Sequence, residues 1–444
     1  MVNYIDMRPL SRAFQSIKPF KALVLGDFFV DTYTTGRVKR ISPEAPVQVL
    51  EVTSQESRPG GAGNAAKNIA TMGGHVIVFG RIGDDQEGWL LKAQLNQGGM
   101  DASQLIIEPG YKTPVKNRLI ADSQQLLRVD VETITPLLSV LEPDILEQLR
   151  SLIPTVQVIA VSDYGKGFLT RSILSAAIQI AKKAGVPLIV DPKGTDFSKY
   201  QGATVLKPNL SEAYAAAGLS SISSLDAVGN ALLQSTQVDS LLITRSEAGI
   251  SLFEPGTKRR DFPVQSKEVK DVTGAGDTVL ATISLALANG LDMGSATQLS
   301  NIAAGIAIER LGCVQVTLPE IAKRLLESDV GSKIFDETHR HTLAEALKRR
   351  SYNMLVLNQT QEMTNAVVRS IQQLSQNNSE ELLVCLQGDN PSKEFIYLLS
   401  LLKEVDFIML QSTSLEEFHP TAVFAIENDK LLSIDLKPRN CLRT

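Results

Sequence analysis

Short apolar, β-branched runs recur along residues 1–330, each followed by a stretch of helical length, and this alternation limits the possible folds more than any other feature of the chain. Runs at 21–26, 75–80, 156–162, 187–191, 203–207 and 241–244 read as buried strands, and residues 170–184 and 274–289 have helical length and spacing. Strands alternating with helices imply an α/β, doubly wound layer with a mainly parallel sheet. Two stretches break the pattern, because residues 37–53 and 112–132 are strand-like with no helix between their runs. They predict a small β lid over the strand ends, where open α/β sheets bind ligands.

Glycine then separates two regions. Of 30 glycines, 28 fall in residues 1–330, and only Gly331 and Gly388 lie beyond. Glycine is needed where backbone approaches a ligand or takes positive φ, so the first region reads as loop-rich and ligand-handling. In residues 331–444, strand-like runs at 353–357, 382–386 and 406–410 alternate with helical 362–374 and 392–402, which predicts a smaller α/β domain. The polar stretch 327–332 is the expected junction. A length of 444 residues accommodates two or three domains. Lys+Arg 44 against Asp+Glu 49 gives a net charge of −5, which argues against a nucleic-acid or anionic-membrane binder. Cys313, Cys385 and Cys441 are far apart and without metal-ligand spacing, so neither a disulfide framework nor a structural zinc site is expected. The first twenty residues lack the apolar core of a signal peptide, and the apolar run 278–291 is too short for a bilayer. A cytoplasmic, reduced setting is expected.

Five groups at predicted strand ends carry chemistry. Asp271-Val-Thr-Gly274-Ala275-Gly276-Asp277 leads directly into an apolar helix, so small residues sit where unpaired N–H groups and the helix dipole hold an anion. Asp277 in that first turn either steadies the helix start or acts on the bound group. Gly60-Gly61-Ala-Gly63-Asn64 precedes a second helix and is either a tight turn or a site for a polar substrate. Asn209-Leu-Ser-Glu212 follows a strand and is either a capping box or a group near Mg²⁺ and phosphate. Gly26-Asp27 with Asp31 places two carboxylates where sugar hydroxyls can be held, and Asp163-Tyr-Gly-Lys166-Gly167 ends a further strand.

In these segments the chain resembles the ribokinase-like (PfkB) carbohydrate kinases over about residues 15–320, the two glycine clusters matching that family's two signatures. The resemblance implies an ATP- and Mg²⁺-dependent phosphotransferase in which Asp277 is the base for the sugar hydroxyl. By the same likeness, Gly274, Ala275 and Gly276 form the anion hole, and Asn209 and Glu212 organise Mg²⁺ and phosphate, Glu212 through bound water or phosphate. Thr244-Arg-Ser-Glu-Ala-Gly249 is similar to the nucleotide-phosphate segment, and Asn301 with Gly305 lies in the region flanking adenine. Asp27, Asp31, Gly60, Gly61 and Asn64 then belong to the sugar side. A narrower resemblance, to the D-glycero-β-D-manno-heptose 7-phosphate kinases of lipopolysaccharide precursor (ADP-heptose) synthesis, rests on Arg40-Ile-Ser-Pro-Glu-Ala-Pro46, Gln124-Gln-Leu-Leu-Arg128-Val-Asp130 and Asn301-x-Ala-Ala-Gly305. It implies phosphorylation at C1 of a sugar already phosphorylated at C7, with Lys116, Arg118 or Arg128 of the lid available to that dianion.

Such kinases are often fused to a nucleotidyltransferase, and residues 331–444 fit a Rossmann-like remnant of one, expected to be inactive. The transferase motif His-x-Gly-His is missing. Four histidines occur, His75, His339, His341 and His419, and His339-Arg-His341 has the wrong spacing, no glycine and no predicted strand before it, so both histidines are expected at the surface. The strand 353–357 ends in Asn358-Gln359-Thr360, where the motif belongs. The rival readings are a kinase for another sugar or a nucleoside, a bifunctional kinase and adenylyltransferase, and a non-catalytic sugar-phosphate sensor. The expected partners are the sugar phosphate and ATP, with a homodimer as the assembly to test.

Overall fold

The computed structural model describes residues 8–434, apart from 123, 265–268, 311, 330–332, 359–361, 376–379, 389–391, 411–414 and 428–429. Cys441, Gln359, Thr360 and the 330–332 part of the expected junction lie outside the described residues. The chain divides into two compact units, one of residues 17–316 and one of residues 1–16 with 317–444. The division therefore falls near 316, not 330. The reason is local: the helix Leu318–Asp329 buries Ile321, Ala322, Leu325 and Leu326 within the second unit, against the helices Arg8–Gln15 and Arg340–Leu347. Glu327, near the end of the helix Leu318–Asp329, is exposed.

In the 17–316 unit the strands are β1 (Phe20–Gly26), β2 (Phe28–Ile41), β3 (Gln48–Gly61), β4 (Gly74–Gly83), β5 (Leu105–Glu108), β6 (Val115–Ala121) and β7 (Gln124–Val131). They continue with β8 (Val158–Ser162), β9 (Leu188–Asp191), β10 (Val205–Leu206), β11 (Ser240–Thr244), β12 (Ile250–Phe253) and β13 (Arg260–Phe262). Nine of them form one sheet in the order β13-β12-β11-β10-β9-β8-β1-β4-β5, parallel except at β12 and β13. This is the doubly wound layer that the alternation implied. Its strands carry apolar side chains on both faces because helices cover both. Leu25, Phe79, Val161, Val190 and Ile243 are among those wholly removed from water, each stabilising the layer by about 1.5–3 kcal/mol. Gly26 is required where β1 meets its neighbours, since a Cβ there would overlap the Ser162 carbonyl oxygen and lie 2.8 Å from Ala62 Cβ.

The lid is a separate four-stranded sheet, β3-β2-β6-β7. It is larger than the stretches 37–53 and 112–132, because β2 starts at Phe28, separated from the end of β1 by Asp27 alone. The register gives the lid two distinct faces. Asp31 pairs with Arg58 and Lys116, Tyr33 with Glu56 and Arg118, and Arg118 with Arg128, so these alternate residues share one charged face with Phe29. The string 40–46 closes the β2–β3 hairpin.

In the second unit, β14 (Ile334–Phe335), β15 (Tyr352–Asn358), β16 (Glu381–Gln387), β17 (Phe407–Leu410), β18 (Ala422–Glu427) and β19 (Lys430–Ser433) form a sheet in the order β14-β17-β16-β15-β18-β19. All pairings but β18–β19 are parallel, which is the small α/β architecture expected of the tail. No helix among the described residues is long and apolar enough to cross a membrane.

Candidate active site

The carboxyl ends of β8, β9, β10 and β11, together with the helix Ala275–Ala288, enclose a cleft of about 1040 Å³. Asp277 occupies the first turn of that helix and is 7 % exposed. Its Oδ2 accepts a hydrogen bond from Asn64 Nδ2 at 2.6 Å, and its Oδ1 lies 3.4 Å from the Tyr164 hydroxyl, which donates to it. Burial pushes the carboxyl up to about 7; Asp191 adds to the rise, while Asn64, Lys207 and Tyr164 work against it. A carboxylate poised there can take a proton from a hydroxyl near neutral pH.

Gly274 caps the helix at φ 79°, a conformation suited to glycine. The expected three-residue anion hole is narrower than the motif suggests. The Ala275 N–H donates back to the Val272 carbonyl at 3.2 Å, so the first-turn donors left by helix geometry are those of Gly276 and Asp277. Ala275 and Gly276 line the cleft, and the space a Gly276 side chain would fill is 3.5 Å from Lys207 Nζ. Lys207 itself is buried and paired with Asp191 at 2.9 Å. Neither residue stood out in the sequence beyond ending a strand. Together they place a cation beside the start of the Ala275–Ala288 helix.

Asn209 and Glu212 form a complete capping box: Asn209 Oδ1 accepts from the Glu212 N–H at 2.9 Å, and Glu212 Oε2 from the Asn209 N–H at 3.1 Å. Both also line the cleft, with Glu212 Oε1 on Lys193 Nζ at 3.0 Å, so the capping and ligand readings coexist. Thr244 and Asn301 line the cleft as well. Asn301 Nδ2 donates to the Pro263 carbonyl at 2.7 Å, and its buried Oδ1 has no hydrogen-bond partner among the described residues. Gly249 also borders the cleft, but its φ of 85° and the Phe262 carbonyl oxygen where its Cβ would stand already require glycine.

On the lid side, Asp31 is ion-paired with Arg118, and a Cβ on Gly60 would strike the same carboxylate. Gly61, at φ 58°, is tight against Phe29 and leads the chain into the helix that carries Asn64. The Tyr33 ring lies between two guanidinium groups, Arg118 at 5.3 Å and Arg58 at 5.6 Å. Arg58 is a residue that sequence reasoning missed. Arg128 is half exposed and held by Asp130 at 2.8 Å, beside Arg118 in the register. Asp27 is buried, and its Oδ1 has no hydrogen-bond partner among the described residues, so the fold uses only one of its two oxygens. Its Oδ2 accepts from the backbone N–H groups of Tyr164 and Lys166, both at 2.9 Å, and burial raises its carboxyl to about 6.

In the second unit His339 is buried, against expectation, because its ring closes a capping box with Asp336 at 2.7 Å. A short strand, β14, does precede it. His341 pairs with Glu417 at 3.1 Å.

A family model described as pfkB family carbohydrate kinase matches residues 21–321. The bifunctional protein HldE of Trichlorobacter lovleyi is 42 % identical over 347 residues, covering 77 % of this chain and 70 % of the relative. The bifunctional protein HldE of Helicobacter hepaticus is 39 % identical over 337 residues, covering 74 % of this chain and 70 % of the relative. Among solved structures, Arabidopsis thaliana ribokinase complexed with ribose and ATP superposes with a TM-score of 0.55 at 19 % identity, covering 69 % of this chain and 99 % of its own. Escherichia coli phosphofructokinase-2 does so with a TM-score of 0.57 at 18 % identity, covering 70 % and 99 %. At these identities the structural likeness concerns the fold alone.

Proposed function

The chain belongs to the pfkB family of carbohydrate kinases, and on that premise we propose that it phosphorylates C1 of D-glycero-β-D-manno-heptose 7-phosphate at the expense of ATP, in the cytoplasm. The observation that carries the choice of a phosphorylated sugar is the charged lid face, where Arg58 and Arg118 flank Tyr33 beside the paired Asp31. The strings 40–46 and 124–130 and the likeness to proteins called HldE support the same sugar.

The cleft suits a magnesium nucleotide. Among the described residues no cluster of three or more His, Cys, Asp or Glu can hold a metal ion by itself. That fits Mg²⁺, which commonly keeps several waters and binds through one or two carboxylates plus phosphates. Glu212 and Asn209 would face it, and Asn301 Oδ1, without a hydrogen-bond partner among the described residues, fits an amino group of a base. Bound ATP with Mg²⁺ supplies the phosphoryl group. Asp277 takes the proton of the anomeric hydroxyl, and the Gly276 and Asp277 N–H groups with Lys207 stabilise negative charge at the helix start. Asp31, Gly60 and Asn64 hold and orient the sugar.

The substrate's own phosphate is the test. Two charge-assisted contacts contribute about 1.5–3 kcal/mol each, so unphosphorylated heptose should lose about 10²-fold or more in kcat/KM. Equal kcat/KM for the two sugars, measured by ADP release, removes the sugar-phosphate reading and leaves a kinase for a neutral sugar.

The 331–444 tail is proposed to be catalytically silent. His339 and His341 are committed to Asp336 and Glu417, and Asn358 ends β15 without the His-x-Gly-His that grips a triphosphate. Incubation with ATP and heptose 1-phosphate should release no pyrophosphate. Formation of ADP-heptose by the purified chain would establish the bifunctional alternative instead.

A further inference from the structure

We propose that Tyr164 is a positioning residue for Asp277, its hydroxyl holding one oxygen of that carboxylate while Asn64 holds the other. The inference rests on the reading of Asp277 as the base that accepts the sugar proton. Tyr164 borders the cleft at the tip of the 163–167 loop, and its ring meets Phe29 of the lid strand β2 edge-on at 5.2 Å. Its hydroxyl is 3.4 Å from Asp277 Oδ1, opposite the 2.6 Å bond from Asn64 to Oδ2. The longer bond leaves room to tighten when substrate enters.

The loop that carries Tyr164 is tied down far beyond what a strand-to-helix turn requires. Asp27 Oδ2 accepts both the Tyr164 and the Lys166 N–H at 2.9 Å. Asp163 Oδ1 accepts the Gly165 N–H at 2.7 Å, and its Oδ2 accepts from Lys199 Nζ and Tyr200 Oη, each at 2.7 Å. The Lys166 carbonyl accepts from Arg81 Nη2 at 2.6 Å, and Lys166 Nζ pairs with Glu132 at 2.6 Å. These bonds fix a backbone whose only side chain delivered to the base is the phenol. They also give Oδ2 of buried Asp27 a structural purpose of its own.

The phenol acts only as a donor. Burial and the negative charges of Asp277 and Asp191 push its ionisation well above the ordinary range, so it keeps its proton at working pH. A donor to a carboxylate favours the charged form, so losing it makes the base harder to ionise. The other groups facing Asp277 are Asp191 and Lys207 at the ends of β9 and β10, Asn64, and the half-buried Cys313 thiol, raised to about 11. They are common to wild type and variant, so a difference between the two isolates Tyr164.

The experiment is the pH dependence of kcat/KM for Tyr164→Phe and for protein carrying 3,5-difluorotyrosine at position 164. Phe removes the donor. The acidic limb should move up by about half a pH unit or more, with kcat at pH 7 reduced about 3- to 10-fold and the KM for ATP unchanged. The fluorinated phenol is a stronger donor and should move the limb down. A merely structural role would lower the melting temperature and leave both limbs in place. Unmoved limbs in both proteins overturn the proposal, and if Tyr164→Phe fails to fold the fluorotyrosine protein decides alone. Asp277→Asn, assayed alongside, separates the premises: a dead variant with unmoved Tyr164 limbs overturns this inference only, whereas an active one overturns the reading of Asp277.

Discussion

Asp277→Asn should lower kcat by about 10²–10⁴-fold, the range typical for loss of a general base, while the Kd for ATP stays within about twofold. Asn keeps the shape and the bond to Asn64 but cannot accept a proton, and the N–H groups of Gly276 and of residue 277 remain in place for phosphate. In the wild type, kcat/KM should rise with pH through about 7, where the Asp277 carboxyl ionises. The same group makes a second, opposite mark on stability. An unfolded Asp ionises near 3.8, whereas the folded one holds its proton to about 7. The stabilisation of the protonated folded form is complete below the unfolded value and is lost as pH rises through the folded one. The neutral Asn variant escapes that loss, so its melting temperature should overtake the wild type between about pH 4 and 7. It should stay several degrees higher at pH 8. Wild-type turnover by Asp277→Asn removes the base assignment, and a variant that melts lower at pH 8 removes the picture of a carboxylate held ionised against its surroundings.

How much of this was legible in the chain follows from the range of the interactions. Strand positions in the 17–316 unit rest on local β-branched runs, which is why β1, β8, β9 and β11 lie within two residues of their expected spans. The Asp277 segment was legible for the same reason, since a helix start and its small residues are a local property. Tyr164 was not. Its importance arises from a bond spanning 113 positions, and only the sheet order brings β8 beside the Ala275–Ala288 helix. At Asp27 the sequence marked a strand-end carboxylate but not that one of its oxygens accepts the backbone N–H groups of Tyr164 and Lys166 across more than 130 positions. The Asn209–Glu212 pair forms the capping box and also lines the cleft, so capping does not exclude the proposed role near Mg²⁺ and phosphate. His339 was expected outside because polarity suggested a surface, yet Asp336 three residues earlier satisfies its ring and lets it be buried. Arg58 was invisible until β2 and β3 were paired in register, which put it across from Asp31 and against Tyr33.

The firmest structural dependence concerns Arg81 on β4, where Arg81→Met should cost about 3–5 kcal/mol, the usual result of removing one partner of a buried ion pair. Arg81 and Glu108 on β5 meet at 2.6 Å with side chains 1 % and 4 % exposed. The guanidinium also covers the Tyr111 ring at 3.9 Å and donates to the carbonyls of Lys166 and Thr135. Glu108 Oε1 in turn accepts the Leu138 N–H at 3.1 Å. Met fills much of the volume but leaves the Glu108 charge without its partner in a low-dielectric interior, and two carbonyls without a donor. Arg81→Met with Glu108→Gln removes the stranded charge and should recover a large part of the loss. By contrast, Arg171→Met breaks a pair to Asp196 whose side chains are 63 % and 65 % exposed, and should leave the melting temperature within about a degree. Because Arg81 anchors the loop that bears Tyr164, the single variant should also speed amide exchange at 163–167 before the sheet strands exchange. A loss below about 1 kcal/mol, or a double variant no more stable than the single one, would show that the strand ends and not this ion pair hold the loop. In that case the fixed position of Tyr164 against Asp277 must come from the Asp27 and Asp163 bonds alone.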